Sequence, residues 1–245
     1  MRIKAIIFDL FGTLIDSFNA QEYRQVLSEM ASSLALPEEP FYDSWSSSFN
    51  QRALGVFKTL EESFDFISKE LNEPIDEGGI EQAIRIRLDY TKKTLVPRKD
   101  AIATLKQLKM LRFKIGLISD CTFEVPLIWE EISLSEHFDH VIFSCSAGIK
   151  KPDPRIYHLA CNELKVKPKN CLYIGDGSSR ELSGALHVGM FPILIRSPSE
   201  KNSVRIEEEN WDGPRISSLS EILTYFNRRG SYKKSNFNLS STLRY

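Results

Sequence analysis

Ala5-Ile6-Ile7-Phe8-Asp9-Leu10-Phe11-Gly12-Thr13-Leu14 is an apolar strand that ends on an aspartate and turns through a glycine into Thr13. At the C-terminal edge of a parallel sheet a side chain meets solvent and ligands, and a carboxylate there serves as a nucleophile or a metal ligand. Alone, the stretch reads equally well as an ordinary strand and turn. Three later segments change that: Ile115-Gly116-Leu117-Ile118-Ser119-Asp120, then Gly148-Ile149-Lys150-Lys151-Pro152-Asp153-Pro154, then Leu172-Tyr173-Ile174-Gly175-Asp176-Gly177-Ser178-Ser179-Arg180-Glu181.

Working outward, short apolar runs at 3–8, 113–118, 140–143, 171–174 and 191–195 have the composition of strands buried on both faces. Helical stretches are expected between them. Ile102, Leu105, Leu108 and Leu111 recur at three-residue spacing after the turn at Pro97 to Asp100, and 123–132, 154–164 and 179–188 also fit helices. Ser183, Gly184 and Ala185 are small enough for the last of these to lie close on a sheet. Alternating strands and helices predict an α/β fold with a doubly wound parallel sheet.

The stretch 18–94 breaks this alternation. It has no convincing strand and several amphipathic helical patterns, interrupted at Pro37 and Pro40, at Asn72-Glu73-Pro74 and at Gly78-Gly79, with Leu95-Val96-Pro97 marking the return. Four helices fit its length. The expected organisation is a core of 1–17 and 95–227, an inserted all-helical domain at 18–94, and a basic tail at 228–245 with Arg228, Arg229, Lys233, Lys234 and Arg244 among serines and asparagines, read as disordered.

The four segments in this order resemble the signature of the haloacid dehalogenase superfamily: a nucleophilic Asp, a Ser or Thr, a Lys, and an acidic pair. The resemblance covers most of the chain. It implies a Rossmann-like core with a helical cap that closes over the site and excludes water. Asp9 would be the covalent nucleophile. Ser119 would hold phosphoryl oxygens, helped by backbone N–H groups around Leu10 and Asp120, and Thr13 would order the turn. Lys151, which directly precedes Pro152-Asp153-Pro154, matches the family's lysine better than Lys150. Asp176, Glu181, Asp9 and the backbone carbonyl of Phe11 would bind Mg²⁺, which hard oxygen donors suit. Asp176 and Glu181 also fit an acidic pair interacting with a helix dipole. From the cap, Arg24 and Arg52 are candidates to meet substrate, with a solvated helix face as the other reading of each.

Position 11 departs from the pattern. Phosphatases of the superfamily place a second aspartate two residues after the nucleophile to protonate the leaving group and later activate water, and here that residue is Phe11. Loss of a general acid–base costs about 10²–10⁴-fold in rate. Haloacid dehalogenases carry an aromatic residue there, because a halide leaves without a proton, but they also have a serine at the place of Asp176 and asparagines at Ser178 and Asp120. The resemblance therefore implies an Mg²⁺-dependent phosphatase of small phosphorylated metabolites, slowed at the acid step. Dehalogenation of a haloacid, or binding of a phosphorylated ligand without turnover, stays open.

Composition narrows the partners. The 245 residues are 42% hydrophobic and 27% charged with a formal net charge of -1, which gives no global reason to expect nucleic acid or an anionic membrane. The apolar run after Arg2 and Lys4 is broken by Asp9, too short for a secretory signal or a span, so a cytoplasmic protein is expected. Cys121, Cys145, Cys161 and Cys171 are scattered singly and read as reduced thiols, and the four histidines form no ligand pattern.

Overall fold

A computed structural model of the protein describes residues 2–17, 19–196 and 208–226. Six parallel strands form one sheet in the order β3-β2-β1-β4-β5-β6. They are β1 (Ala5–Phe8), β2 (Lys114–Ser119), β3 (His140–Phe143), β4 (Cys171–Gly175), β5 (Phe191–Ile195) and β6 (Arg215–Ile216). This is the expected doubly wound α/β architecture. The first five strands are those expected from the sequence, whereas the two residues of β6 are too few to show a period.

β1 is central and wholly buried, with alternate side chains in different cores. Ile6 and Phe8 join the cluster containing Leu105, Leu117 and Ile174, whereas Ala5 and Ile7 join Tyr157, Ala160 and Leu182 on the other face. Burial on both faces is why β1 reads as an uninterrupted apolar run. Phe8 pairs with Leu117 on one side and Ile174 on the other, so Asp9, Ser119 and Asp176 emerge together at the C-terminal edge.

Between β1 and β2 come α1 (Ala20–Ser33), α2 (Glu38–Ser47), α3 (Phe49–Ala53), α4 (Leu60–Leu71), α5 (Glu77–Thr94) and α6 (Ala101–Met110). Among the described residues the inserted stretch thus has five helices rather than four, because a break at Ser48 separates α2 from the short α3. Caps mark their starts. Asn19 Oδ1 accepts from the backbone N–H groups of Gln21 (2.9 Å) and Glu22 (3.1 Å), Thr59 Oγ1 from that of Glu62, and Asp76 Oδ1 from that of Gly79. Leu60, Phe64 and Ile67 bring one face of α4 to an apolar cluster centred on Trp45, which stacks between Phe41 and Phe64 at ring separations of 5.9 and 5.6 Å.

The two strands of chain joining this helical layer to the sheet are tied to each other. Ile15 bridges Pro97, and the Arg98 N–H donates to the Leu14 carbonyl at 2.9 Å. Beyond β2 lie α7 (Glu124–Ile128), α8 (Ser144–Ala147), α9 (Pro154–Glu163) and α10 (Glu181–His187). α7 is shorter than the 123–132 expected, giving way to a 3₁₀ turn at Trp129–Glu131. α10 starts at Glu181 rather than 179 because Ser179 and Arg180 are both left-handed, with φ of 54° and 50°. The candidate tail at 228–245, residue 227 and Phe18 lie outside the described residues. Among those described, no helix is long and apolar enough to cross a membrane.

Candidate active site

Lys151 is the hub of a buried charge cluster. Its Nζ donates to Asp9 Oδ1 at 2.6 Å and to Glu181 Oε2 at 2.7 Å, and all three side chains are at most 6% exposed. The Lys151 backbone N–H donates to Asp120 Oδ1 at 3.0 Å, so the carboxylate after Ser119 holds the lysine loop. Tyr173 OH donates to Glu181 Oε2 at 2.8 Å and the Gly177 N–H to Glu181 Oε1 at 2.9 Å. Tyr173 projects from the buried strand β4 and escaped the sequence reading because it looks like ordinary core.

Two glycines permit the close approach. A Cβ on Gly12, whose φ is +75°, would lie 2.5 Å from Asp176 Oδ2, and one on Gly175 would lie 2.1 Å from Glu181 Oε1. The consecutive left-handed residues Ser179 and Arg180 set where the chain enters α10, whose first residue is Glu181. Non-glycine residues adopt that conformation at a cost of order 1–3 kcal/mol each, and such strain concentrates at functional sites.

Electrostatics follow from burial. Desolvation raises Asp9 to about 6, with the neighbouring Asp176 charge adding to it and Lys151 opposing. Glu181 is pushed well above the usual carboxylate range by burial and by Asp9. Burial works to discharge Lys151, but Asp9, Glu181 and Asp120 more than reverse this and keep it an ammonium. Asp176 carries a partner absent from the sequence reading. Arg196, at the exit of β5, donates to the Asp176 backbone carbonyl and lies 3.9 Å from Asp176 Oδ2.

Asp9, Asp176 and Glu181 each offer an oxygen within 4.8 Å of the others, a donor set that suits a hard divalent cation. Glu181 already accepts three hydrogen bonds, leaving about one of its four lone-pair positions for a metal. Around the cluster, Thr13 Oγ1, Ser119 Oγ and Asp120 Oδ2 are buried without a hydrogen-bond partner among the described residues. Buried polar atoms are nearly always paired, so three orphans beside a carboxylate cluster fit a site that takes an oxygen-bearing ligand. The Thr13 hydroxyl makes no hydrogen bond to the turn. The backbone shapes it instead, through N–H donation from Thr13, Leu14 and Ile15 to the Leu10 carbonyl.

Of the two cap arginines, Arg24 lies on the outside, paired with Glu39 and over Tyr42. Arg52 is no solvated helix residue. It is 3% exposed, stacks 3.8 Å over Trp45, and its charge interacts with those of the buried Arg87 of α5 and Glu124 of α7. Arg87 Nε donates to Glu124 Oε1 at 2.8 Å, a link between the helical layer and the loop after Ser119. Arg87 and Glu124 had no distinguishing signal in the sequence, since 37 residues separate them.

The haloacid dehalogenase-like hydrolase family profile matches residues 3–189. Glyceraldehyde 3-phosphate phosphatase of Methanopyrus kandleri is 27% identical over 79% of this chain and 84% of its own length. An (S)-2-haloacid dehalogenase of Burkholderia cepacia is 25% identical over 90% and 93%. In fold, the chain is similar to a wild-type enzyme of Bacteroides thetaiotaomicron solved with magnesium and inorganic phosphate. The TM-score is 0.62 at 18% identity, over 82% of this chain and 98% of that one.

Proposed function

From the chain's place in the haloacid dehalogenase-like hydrolase family, to which it belongs, we propose that it is an Mg²⁺-dependent phosphatase acting on a small phosphorylated metabolite through a covalent intermediate on Asp9. The observation that carries this reading is the acidic cluster around Lys151. Asp9, Asp176 and Glu181 outnumber the cations that touch them, Lys151 within the cluster and Arg196 3.9 Å from Asp176 at its edge, an imbalance that a divalent cation offsets. Phosphatase-named relatives and a fold neighbour solved with magnesium and phosphate support it.

Asp9, Asp176 and the Phe11 carbonyl would hold the ion, with Glu181 at its edge while it orients Lys151. Bound there, Mg²⁺ supplies positive charge against the phosphoryl oxygens. An ionised Asp9 oxygen attacks phosphorus, and the bond from phosphorus to the leaving oxygen breaks as Lys151, the Ser119 hydroxyl and nearby backbone N–H groups steady the equatorial oxygens. The leaving oxygen takes its proton from water, because Phe11 has none to give. Water then attacks phosphorus, the bond to Asp9 breaks, the carboxylate is regenerated and inorganic phosphate leaves. Acyl and aryl phosphates, whose leaving groups need little protonation, are expected to turn over best.

The test is phosphate release from acetyl phosphate, an aryl phosphate and a panel of sugar and acid phosphates, with and without Mg²⁺, beside Asp9→Asn. Mg²⁺-dependent release lost in the variant is expected. Phe11 specifically favours the dehalogenase as a second reading, and metal-independent halide release from a 2-haloacid, without phosphate release, would establish it instead.

A further inference from the structure

Arg52, Arg87 and Glu124 form a second buried charge cluster, and its balance is the reverse of the first. Two guanidinium groups face one carboxylate, with Arg52 3% exposed, Arg87 4% and Glu124 fully buried. The other polar groups packed around them are the phenols of Tyr23 and Tyr90, and burial lifts the Tyr90 hydroxyl to about 12. A buried charge without a counter-ion is strongly disfavoured.

The hydrogen bonding has matching gaps. Arg87 Nε and Nη2 and the Thr122 hydroxyl all converge on Glu124 Oε1. Arg52 Nη2 donates to the Trp45 carbonyl and Nε reaches Ser48 Oγ at 3.4 Å. That leaves Arg52 Nη1 and Arg87 Nη1 buried with no partner among the described residues, two donor groups against one unpaired acceptor, Glu124 Oε2. Burial has also lowered Arg52 to about 10.

The position ties this charge cluster to the first. Glu124 opens α7 at the end of the loop that begins with Ser119 and Asp120, and Arg52 and Arg87 reach it from the helical layer above that loop. We infer that Arg52 and Arg87 bind a carboxylate on the far end of the substrate, making this chain selective for phosphorylated carboxylic acids. This rests on the phosphatase reading of the Asp9 site and adds the substrate class to it. One excess positive charge matches a carboxylate better than a second phosphate, which would overshoot it, and a planar guanidinium pairs well with a planar carboxylate.

Matched phosphate esters test it, in chloride-free buffer so that no small anion competes. Phosphoglycolate and 3-phosphoglycerate are compared with glyceraldehyde 3-phosphate and glycerol 3-phosphate, which lack the carboxylate. The expected kcat/KM favours at least one acid about tenfold or more over the esters that lack the carboxylate, and Arg52→Met brings that ratio close to one, with Arg52→Lys in between. Equal kcat/KM across the pairs, or equal loss on both members in Arg52→Met, overturns the inference. A turnover-free readout separates it from the phosphatase reading. Glycolate should perturb the fluorescence of Trp45, stacked under Arg52, in the parent protein and not in Arg52→Met. No phosphate release from any ester, with the glycolate response intact, would refute the phosphatase reading and keep the carboxylate site. Absence of the response refutes the site.

Discussion

Two buried charge clusters flank the same loop, and they are built in opposite senses. Around Lys151 the acids outnumber the base, whereas around Glu124 the bases outnumber the acid. Each also leaves buried polar atoms without a partner among the described residues: two hydroxyls and a carboxylate oxygen at the first, two guanidinium nitrogens and Glu124 Oε2 at the second. A protein interior tolerates such imbalance only when something else corrects it. The first cluster fits a divalent cation with a phosphoryl group, and the second fits an organic anion. The two also differ in origin, since Asp9, Ser119 and Asp176 follow strand ends while the arginines come from the inserted helices.

Four perturbations would break or sharpen this contrast. Asp9→Asn is expected to lower the rate of phosphate release by about 10³-fold or more in initial-rate assays, since no other described side chain occupies the nucleophile's place. Glu124→Gln should act on stability first. Removing the one acid beside two buried arginines is expected to cost about 3–5 kcal/mol in denaturant unfolding at pH 7. Despite its burial, Glu124 is held below its ordinary 4.5 by Arg87, Thr122 and Arg52. A depressed carboxylate contributes stability above its unfolded value and loses it as pH falls through the folded value. The deficit of Glu124→Gln should therefore shrink below about pH 4.5.

Phe11→Asp restores a proton donor where the ring now stands. It is expected to raise turnover of alkyl phosphates about 10²-fold while changing acetyl phosphate little, because a good leaving group has no need of the acid. The smallest effect is that of the ion alone. Mg²⁺ at a hundredfold excess over its Kd should stabilise the fold by about 2.7 kcal/mol, read as a rise in Tm. With Asp9 raised from 3.8 to about 6, the metal-free fold holds a proton there that the unfolded chain does not, and it gains stability as pH falls from about 6 toward 3.8. The Mg²⁺ shift should fade over the same window. A shift that persisted at pH 4 would place the ion elsewhere.

The sheet and the strand-end residues were legible because both leave local marks. A parallel strand buried on two faces is a continuous apolar run, and a charge at its end stands out, as Asp9 does after Phe8. β6 left no such mark. The second cluster was illegible for a different reason: Arg52, Arg87 and Glu124 resemble any charged helix residue until packing buries them, and their pairing depends on how five helices settle on the loop after β2. Tyr173 and Arg196 escaped for the same reason, one hidden in an apolar run and the other just past a strand. The left-handed pair Ser179 and Arg180 between Asp176 and Glu181 is likewise a property of the backbone that spacing alone does not display.

The central claim is that Asp9 carries the phosphoryl group. Rapid mixing with acetyl phosphate and Mg²⁺, acid quench, borohydride reduction and peptide mass spectrometry test it directly, because an aspartyl phosphate is reduced to homoserine. Homoserine at position 9, absent in Asp9→Asn, is the result this account predicts. Phosphate released with Asp9 unmodified at every quench time, and unaffected by Asp9→Asn, would contradict it.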